Sequence, residues 1–453
     1  MVAKGFEMKG LKFANIPLKN VMRNVKMEKY EFVPFNEPNA IEEIDARELQ
    51  NYIDQCNLVA EILADATFLK KNTSSEVKAS SVQGDRLAAI LRAPLEEKQV
   101  LLKLLVTLYK TIFDENGNQI NRPTVELLYR TIKENDLNIS QDLLNSVSKN
   151  GRLMRSILDI VCENGLRNMT VVEVNYEKGS IAKDLQYQMG FFFHYPLLFD
   201  YTLATKDSKS LPKEIQNLGY QMVDWNPANS TLPTLEAPAD LLVFKDVPTK
   251  LNKLNLQVFT KDIADNVKEG GFVFAIFRSQ LCKAENFLSN LNKSDLNTVL
   301  LRKRVADFES YAKAVNLQLV CKKSDSFTST CLLLRKSFSR VDPNKQGIVE
   351  VKFGYFDEWV DTLKDTFITF KNKPKNENVW LVADDNSLNG ILGLINCLNQ
   401  EPGGDRFRCI YSSTKLPRPV DFTNTPYKEI LQKDLYMNVF KNNQWGCYRF
   451  VKI

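Results

Sequence analysis

The sequence predicts an α/β protein: a seven-strand Rossmann-type sheet preceded by a helical subdomain and followed by a second, truncated Rossmann-like unit. Three observations predict it. Apolar residues recur at three-and-four spacing up to residue 168, and from Met169 they gather into short runs separated by helical stretches. After a polar tract over 338–347 the strand and helix alternation starts again and ends early. At 453 residues the chain has length for two or three domains, each with its own core. The reading divides it into 1–45, 46–168, 169–337 and 338–453.

Residues 5–12 alternate apolar and polar and are expected as one strand. The proline-bearing tract with Val33-Pro34-Phe35 and Glu37-Pro38 is expected as a linker. One strand cannot fold alone, so 1–45 reads as the tail of a domain whose body lies upstream. Residues 49–69, 87–91, 98–113 and 124–133 carry the apolar stripes of amphipathic helices. Seven strands are expected at 170–176, 199–204, 220–224, 239–244, 271–277, 317–321 and 328–334, joined by right-handed crossovers. In the last unit 379–383 and 407–411 read as strands, 389–399 as a helix and Glu401-Pro402-Gly403-Gly404 as a turn. Residues 435–440 and 445–453 read as a hairpin around Lys441-Asn442-Asn443. Two or three parallel strands are too few for a complete nucleotide-binding sheet, so this unit is expected to take partner strands from elsewhere.

A net charge of +5 over this length is too dilute for a nucleic-acid or membrane surface, and no run of eighteen apolar residues marks a membrane span. The expectation is a cytosolic protein without nucleic-acid or membrane partners. The eight cysteines are scattered with no C-x-x-C pair, which favours reduced thiols over a metal site or a disulfide framework. His194 is the one histidine and lies in the apolar tract 191–199, so it reads as a packed neutral ring, and chemistry needing a histidine pair is excluded.

A sheet of this kind, where it serves as a class I methyltransferase, binds S-adenosylmethionine at the end of its first strand, through an acid followed by bare glycines that let the ligand approach the main chain. In Val172-Glu173-Val174-Asn175-Tyr176-Glu177-Lys178-Gly179 the acid Glu173 and the last glycine, Gly179, remain, but Asn175 and Glu177 stand where glycines belong. Asp207 follows the second strand where a carboxylate would meet the ribose, and the stretch from Trp225 and Asn226 replaces the acid expected near the third. Glu173, Asn175, Glu177, Gly179, Asp207 and Asn226 therefore read as a relic cofactor site, with no catalytic residue and no metal ligand. The Tyr-x-x-x-Lys pairs Tyr129/Lys133, Tyr411/Lys415 and Tyr448/Lys452 follow no phosphate loop, and Ser387 reads as a helix N-cap rather than a carrier attachment site.

Several segments carry a resemblance: Leu394-Ile395-Asn396-Cys397-Leu398, Glu401-Pro402-Gly403-Gly404, Arg406-Phe407-Arg408-Cys409, Asp434 to Val439 and Trp445-Gly446. In this order they resemble the truncated pseudo-ketoreductase of animal, in particular insect, type I fatty acid synthase. Ala239-Asp240-Leu241-Leu242-Val243, Lys268-Glu269-Gly270-Gly271-Phe272, Trp359-Val360 and Leu363-Lys364 resemble its pseudo-methyltransferase of class I fold and the junction between the two. Lys29-Tyr30-Glu31-Phe32-Val33-Pro34 resembles the linker after its dehydratase. The resemblance implies a non-catalytic segment that braces the ketoreductase of a homodimeric synthase. That synthase makes long-chain fatty acids from acetyl-CoA and malonyl-CoA with NADPH and a phosphopantetheine-bearing acyl carrier protein. The segment itself is expected to hold no cofactor. Two other readings stand beside it: an active S-adenosylmethionine-dependent C-methyltransferase acting on carrier-bound β-ketoacyl chains, and a separate short protein acting on such partners in trans.

Overall fold

Strands β5 (Asn168–Asn175), β6 (Leu198–Thr205), β7 (Gln221–Asp224), β8 (Ala239–Lys245), β9 (Val267–Arg278), β10 (Leu317–Ser324) and β11 (Ser329–Lys336) form the first sheet, in the order β10-β11-β9-β8-β5-β6-β7. The computed structural model describes residues 2–3, 6–7, 28–68, 81–114, 117–135, 142–149, 151–165, 168–175, 180–189, 198–211, 213–226, 231–233, 235–247, 254–292, 296–339, 341–352, 356–374, 376–384, 390–399, 401–413 and 419–452. Numbered from its first strand, β5, the sheet runs 3-2-1-4-5-7-6. Neighbours from β7 to β9 are parallel, and β11 is antiparallel to both β9 and β10. This is the strand order of the class I methyltransferase fold, and every strand read from the sequence is present. The central strands β8 and β9 are covered on both faces, which is why they read as unbroken apolar runs rather than alternating ones.

Helices Glu43–Phe68, Ser81–Arg92, Val100–Ile112 and Val125–Glu134 pack around Leu63, Leu102, Leu105 and Leu108 as the helical subdomain. Helix Lys283–Leu291, from the strand-bearing half of the sequence, joins them through Phe287 and Leu288. Helix Gly151–Asn164 does the reverse: it lies in the helical half of the sequence, yet Leu153, Ile157 and Val161 pack with Val171, Leu241 and Phe274 of the sheet.

The last unit is larger than its sequence suggests. Strands β12 (Gly347–Glu350), β13 (Val379–Asp384), β14 (Phe407–Ser412) and β15 (Met437–Lys441) are parallel in that order, and β16 (Gln444–Lys452) closes antiparallel on β15. The hairpin turn is where it was expected, with Asn442 and Asn443 both at positive φ (50° and 62°). Strand β12 escaped notice because it is a four-residue edge strand that leaves Ile348 and Glu350 exposed. Helices Phe356–Phe370 and Tyr427–Lys433 were likewise not anticipated; helix Ile391–Leu398 was.

The expected linker is not one. Strand β3 (Glu28–Pro34) pairs antiparallel along β16 as the sixth strand of the second sheet, and β4 (Asn36–Glu37) pairs parallel with β10 at the edge of the first. Phe35 between them donates its N–H to Trp445 O (2.9 Å) and accepts from Lys322 N (3.0 Å), so one residue is bonded to both sheets. The tract reads as a linker because of its two prolines; Pro34 closes β3 and Pro38 follows β4, where no ladder N–H is lost. The strand expected over 5–12 lies mostly outside the described residues, although β1 (Val2–Ala3) and β2 (Phe6–Glu7) pair antiparallel.

Both sheets share one core. It runs from Val171, Leu241 and Phe274 through Ile157 to Leu381, Cys409 and Tyr436. Around it lies a buried polar clamp: Asp434, at the left-handed φ of 47°, takes Arg408 (2.9 and 3.0 Å), the Asn378 amide (2.8 Å) and, across the junction, Arg335 of β11 (3.5 Å). Arg335 also donates to Gly270 O and Lys433 O, both at 3.0 Å. A second tie joins Arg449 of β16 to Glu163 of helix Gly151–Asn164.

Candidate functional site

Strand β5 turns Met169, Val171, Glu173 and Asn175 toward one face and Val172 and Val174 toward the other. Glu173 is thereby carried under the start of helix Ala182–Met189, 1 % exposed. Its carboxylate accepts four hydrogen bonds: Ser180 Oγ and Tyr201 Oη at 2.6 Å on one oxygen, Ile181 N at 3.0 Å and Asn175 Nδ2 at 3.1 Å on the other. Ser180 Oγ in turn accepts from Ala182 N (3.0 Å). The acid thus holds the N-terminal end of the helix that follows the first strand. Burial pushes its carboxyl above the ordinary range against the pull of those four donors, and the same burial, with Glu173 beside it, raises Tyr201.

At the carboxyl edge of the sheet Asn175, Thr205 and Asp224 lie in register across β5, β6 and β7. Asp207 sits two residues past β6 and accepts from Lys209 N (3.1 Å), capping a 3-10 turn. Asn226 is exposed just past β7. Sequence reasoning missed Asp224, which closes the third strand one residue before the stretch taken as acid-free. Its Oδ1 accepts from Ser208 N (3.0 Å), and bonds from Ser208 hold its carboxyl below the ordinary range. Trp225, next in line, is buried, its ring 6.3 Å from that of Phe259 and its Nε1 on Thr231 O (2.7 Å). The fold therefore brings Glu173, Asn175, Asp207 and Asn226 to one end of one sheet. Glu177 and Gly179 lie outside the described residues, as do His194, Ser387 and Lys415.

Beside this edge the helical subdomain closes on the sheet through buried polar groups that no sequence motif announced. Arg278, ending β9, donates from Nη2 to both oxygens of Glu285 (2.6 and 2.7 Å) and from Nη1 to Leu144 O. Asp246, past β8 at φ 56°, accepts from Arg278 N, and burial raises its carboxyl. Asp142 gathers Tyr52 Oη (2.6 Å), Leu101 N (2.6 Å) and Leu144 N (2.9 Å). Of these bonds, that from Arg278 to Leu144 O runs from the sheet to the helical subdomain.

Lys133 Nζ lies 4.7 Å from the centre of the Tyr129 ring on a helix of the cap, and Tyr448 Oη accepts from Lys441 Nζ (3.0 Å) within the hairpin of the second sheet. Among the described residues no group of three or more His, Cys, Asp or Glu side chains is arranged to hold a metal ion, and no helix is long and apolar enough to cross a membrane.

Comparison with known proteins matches residues 356–453 to the family described as fatty acid synthase, pseudo-KR domain. The C-terminal unit is thus similar to a fatty acid synthase pseudo-ketoreductase. Among solved structures, the chain is similar to the trans-methyltransferase CalH in complex with SAH (12 % identity, TM-score 0.40, covering 68 % of this chain and 99 % of that one). It is also similar to the CurJ carbon methyltransferase (10 %, 0.36, 65 % and 94 %) and to the citrinin polyketide synthase CMeT domain (10 %, 0.33, 65 % and 95 %).

Proposed function

We propose that this chain is a structural, non-catalytic segment of an animal, insect-type fatty acid synthase, in which a methyltransferase-like unit and a pseudo-ketoreductase form one brace for the ketoreductase of the same homodimeric enzyme. The observation that carries this reading is the single core and buried clamp joining the two units, from Phe35 and the Arg335–Asp434–Arg408 cluster to Leu381 and Tyr436. A catalytic methyltransferase needs a cleft that opens between the helical subdomain and the sheet; here Arg278 at the end of β9 bonds across that boundary to Leu144 O and to Glu285. Glu173 supports the reading too, since its two oxygens already accept four protein donors. The segment holds no cofactor of its own, works in the cytosol, and meets the acyl carrier protein in passing.

A second reading is favoured by one observation: Glu173, Asp207 and Asp224 stand at the carboxyl ends of the first three strands, the positions an S-adenosylmethionine-dependent C-methyltransferase uses for the methionine and nucleoside parts of its cofactor. Titration calorimetry of the whole chain with S-adenosylmethionine separates the two. No saturable heat at millimolar cofactor is expected for the brace; micromolar binding would replace it with the enzyme.

A further inference from the structure

A cavity of about 360 Å³ lies between helices Glu43–Phe68, Gly151–Asn164 and Ala182–Met189 and the strands β3 and β16. The relic cofactor residues do not line it. Gln188 does, 4 % exposed, and its amide makes no hydrogen bond among the described residues. A buried amide without a partner destabilises the fold, and a ligand supplying the partner removes that cost. An amide both accepts and donates, so the charge around it decides which kind of group completes it.

The lining carries five carboxylates against four cations. Each cation already has a carboxylate at hand. Lys323 (2.9 Å) and Arg152 (3.3 Å) share Glu37, Arg155 lies 3.8 Å from Asp159, and Arg449 pairs with Glu163, which is not part of the lining. Glu31, Glu42 and Asp45 remain. Glu31 has Lys29 at 3.1 Å, an exposed pair of little strength in water. Glu42 and Asp45 have no ion pair among the described residues. A positive group entering beside them gains their attraction, and the same carboxylates repel an anion. Val33, Pro34 and Val451 add an apolar stretch of wall.

We propose that this cavity binds a primary alkylammonium ion, its ammonium donating to the Gln188 amide oxygen within the field of Glu42 and Asp45 and its hydrocarbon part along Val33, Pro34 and Val451. The inference is independent of the role of the S-adenosylmethionine edge and stands whichever reading of that edge holds. The test is titration calorimetry of the whole chain with hexylamine, with hexanoate and hexyltrimethylammonium as comparisons. One-site binding of hexylamine is expected, with no saturable heat from hexanoate and weaker binding of hexyltrimethylammonium, which keeps the charge but has no N–H to give. Gln188→Leu and Glu42→Gln should each lower the hexylamine affinity about tenfold, the first through loss of a charge-assisted hydrogen bond and the second through loss of a facing charge. Glu42→Gln changes a part-exposed side chain and keeps the test decisive should Gln188→Leu fail to fold. Nα-acetyl-lysine methylamide presents the same ammonium as a partner's side chain does: binding as tight as that of hexylamine assigns the site to a protein lysine and weaker binding to a free amine, and either upholds the ammonium. The assignment is overturned by hexylamine giving no saturable heat, by both variants binding as the parent does, or by hexanoate or hexyltrimethylammonium binding as tightly as hexylamine.

Discussion

Glu173 is a carboxylate that a cofactor-binding sheet would aim at a ligand, and here it serves as the cap of a helix. Removing one of its donors measures that role. Tyr201→Phe leaves a buried carboxylate with three hydrogen bonds, and a loss of about 1–3 kcal/mol in urea unfolding at neutral pH is expected. The sign of the pH dependence follows from the raised carboxyl: the folded chain holds the Glu173 proton more tightly than the unfolded chain, so the contribution of this group falls as pH rises from the ordinary glutamate value of 4.5 toward the raised one. The penalty of Tyr201→Phe should therefore shrink on acidification toward the ordinary glutamate value of 4.5, and a penalty independent of pH would mean that Glu173 stays charged throughout. Of this site the sequence made Glu173 legible, because an acid at a strand end before a loop is a local pattern. Tyr201 and Ser180 were not legible as its donors, since the first is brought to it only by the β5–β6 register. Asp224 was passed over although the strand was read to end on it, because the acid was sought in the stretch after the strand and not in its last residue.

Among the elements, strands β5, β8, β9 and β11 were legible because burial on both faces writes a long apolar run, whereas β3 and β12 were not, because these edge strands carry polar residues such as Glu31 and Glu350. The pairing of β3 with β16 depends on Gly446, whose added Cβ would meet Val33 O at 2.3 Å and the Phe32 ring at 2.7 Å. Gly446→Ala must therefore push the two strands apart, and a destabilisation of about 1–3 kcal/mol is expected. Hydrogen exchange would read it locally, as faster exchange in 28–34 and 444–452 with little change in β8. Uniform loosening of both sheets would instead mean that β3 is needed for the whole fold. Aromatic contacts support this pairing, with Tyr30 5.4 Å from Tyr448 and 4.8 Å from Phe450 by ring centres.

For the molecule as a whole, the expectation that the second sheet would take a strand from elsewhere was met from within the chain, by β3. No local pattern could have said so, because the donor and acceptor strands stand at opposite ends of the sequence. The union of the two sheets rests on buried charge as well as on apolar packing, and Arg335→Ala tests it. With Arg335 gone, Asp434 keeps Arg408 but the carbonyls of Gly270 and Lys433 lose their donor, at a cost of about 3 kcal/mol. Scanning calorimetry should give one transition for the parent and two for the variant; a single shifted transition in the variant would show that apolar packing alone keeps the halves together. The stitch at Phe35 also sets an order of events at the ribosome. Glu31 finds its place opposite Arg449 only after about 420 further residues are made, roughly 20–80 s at ordinary rates of synthesis. Throughout that interval the nascent chain displays Tyr30, Phe32 and Val33 without their β16 neighbours, which makes this short stretch a natural landing point for chaperones and the step at which assembly of the protein is most open to error.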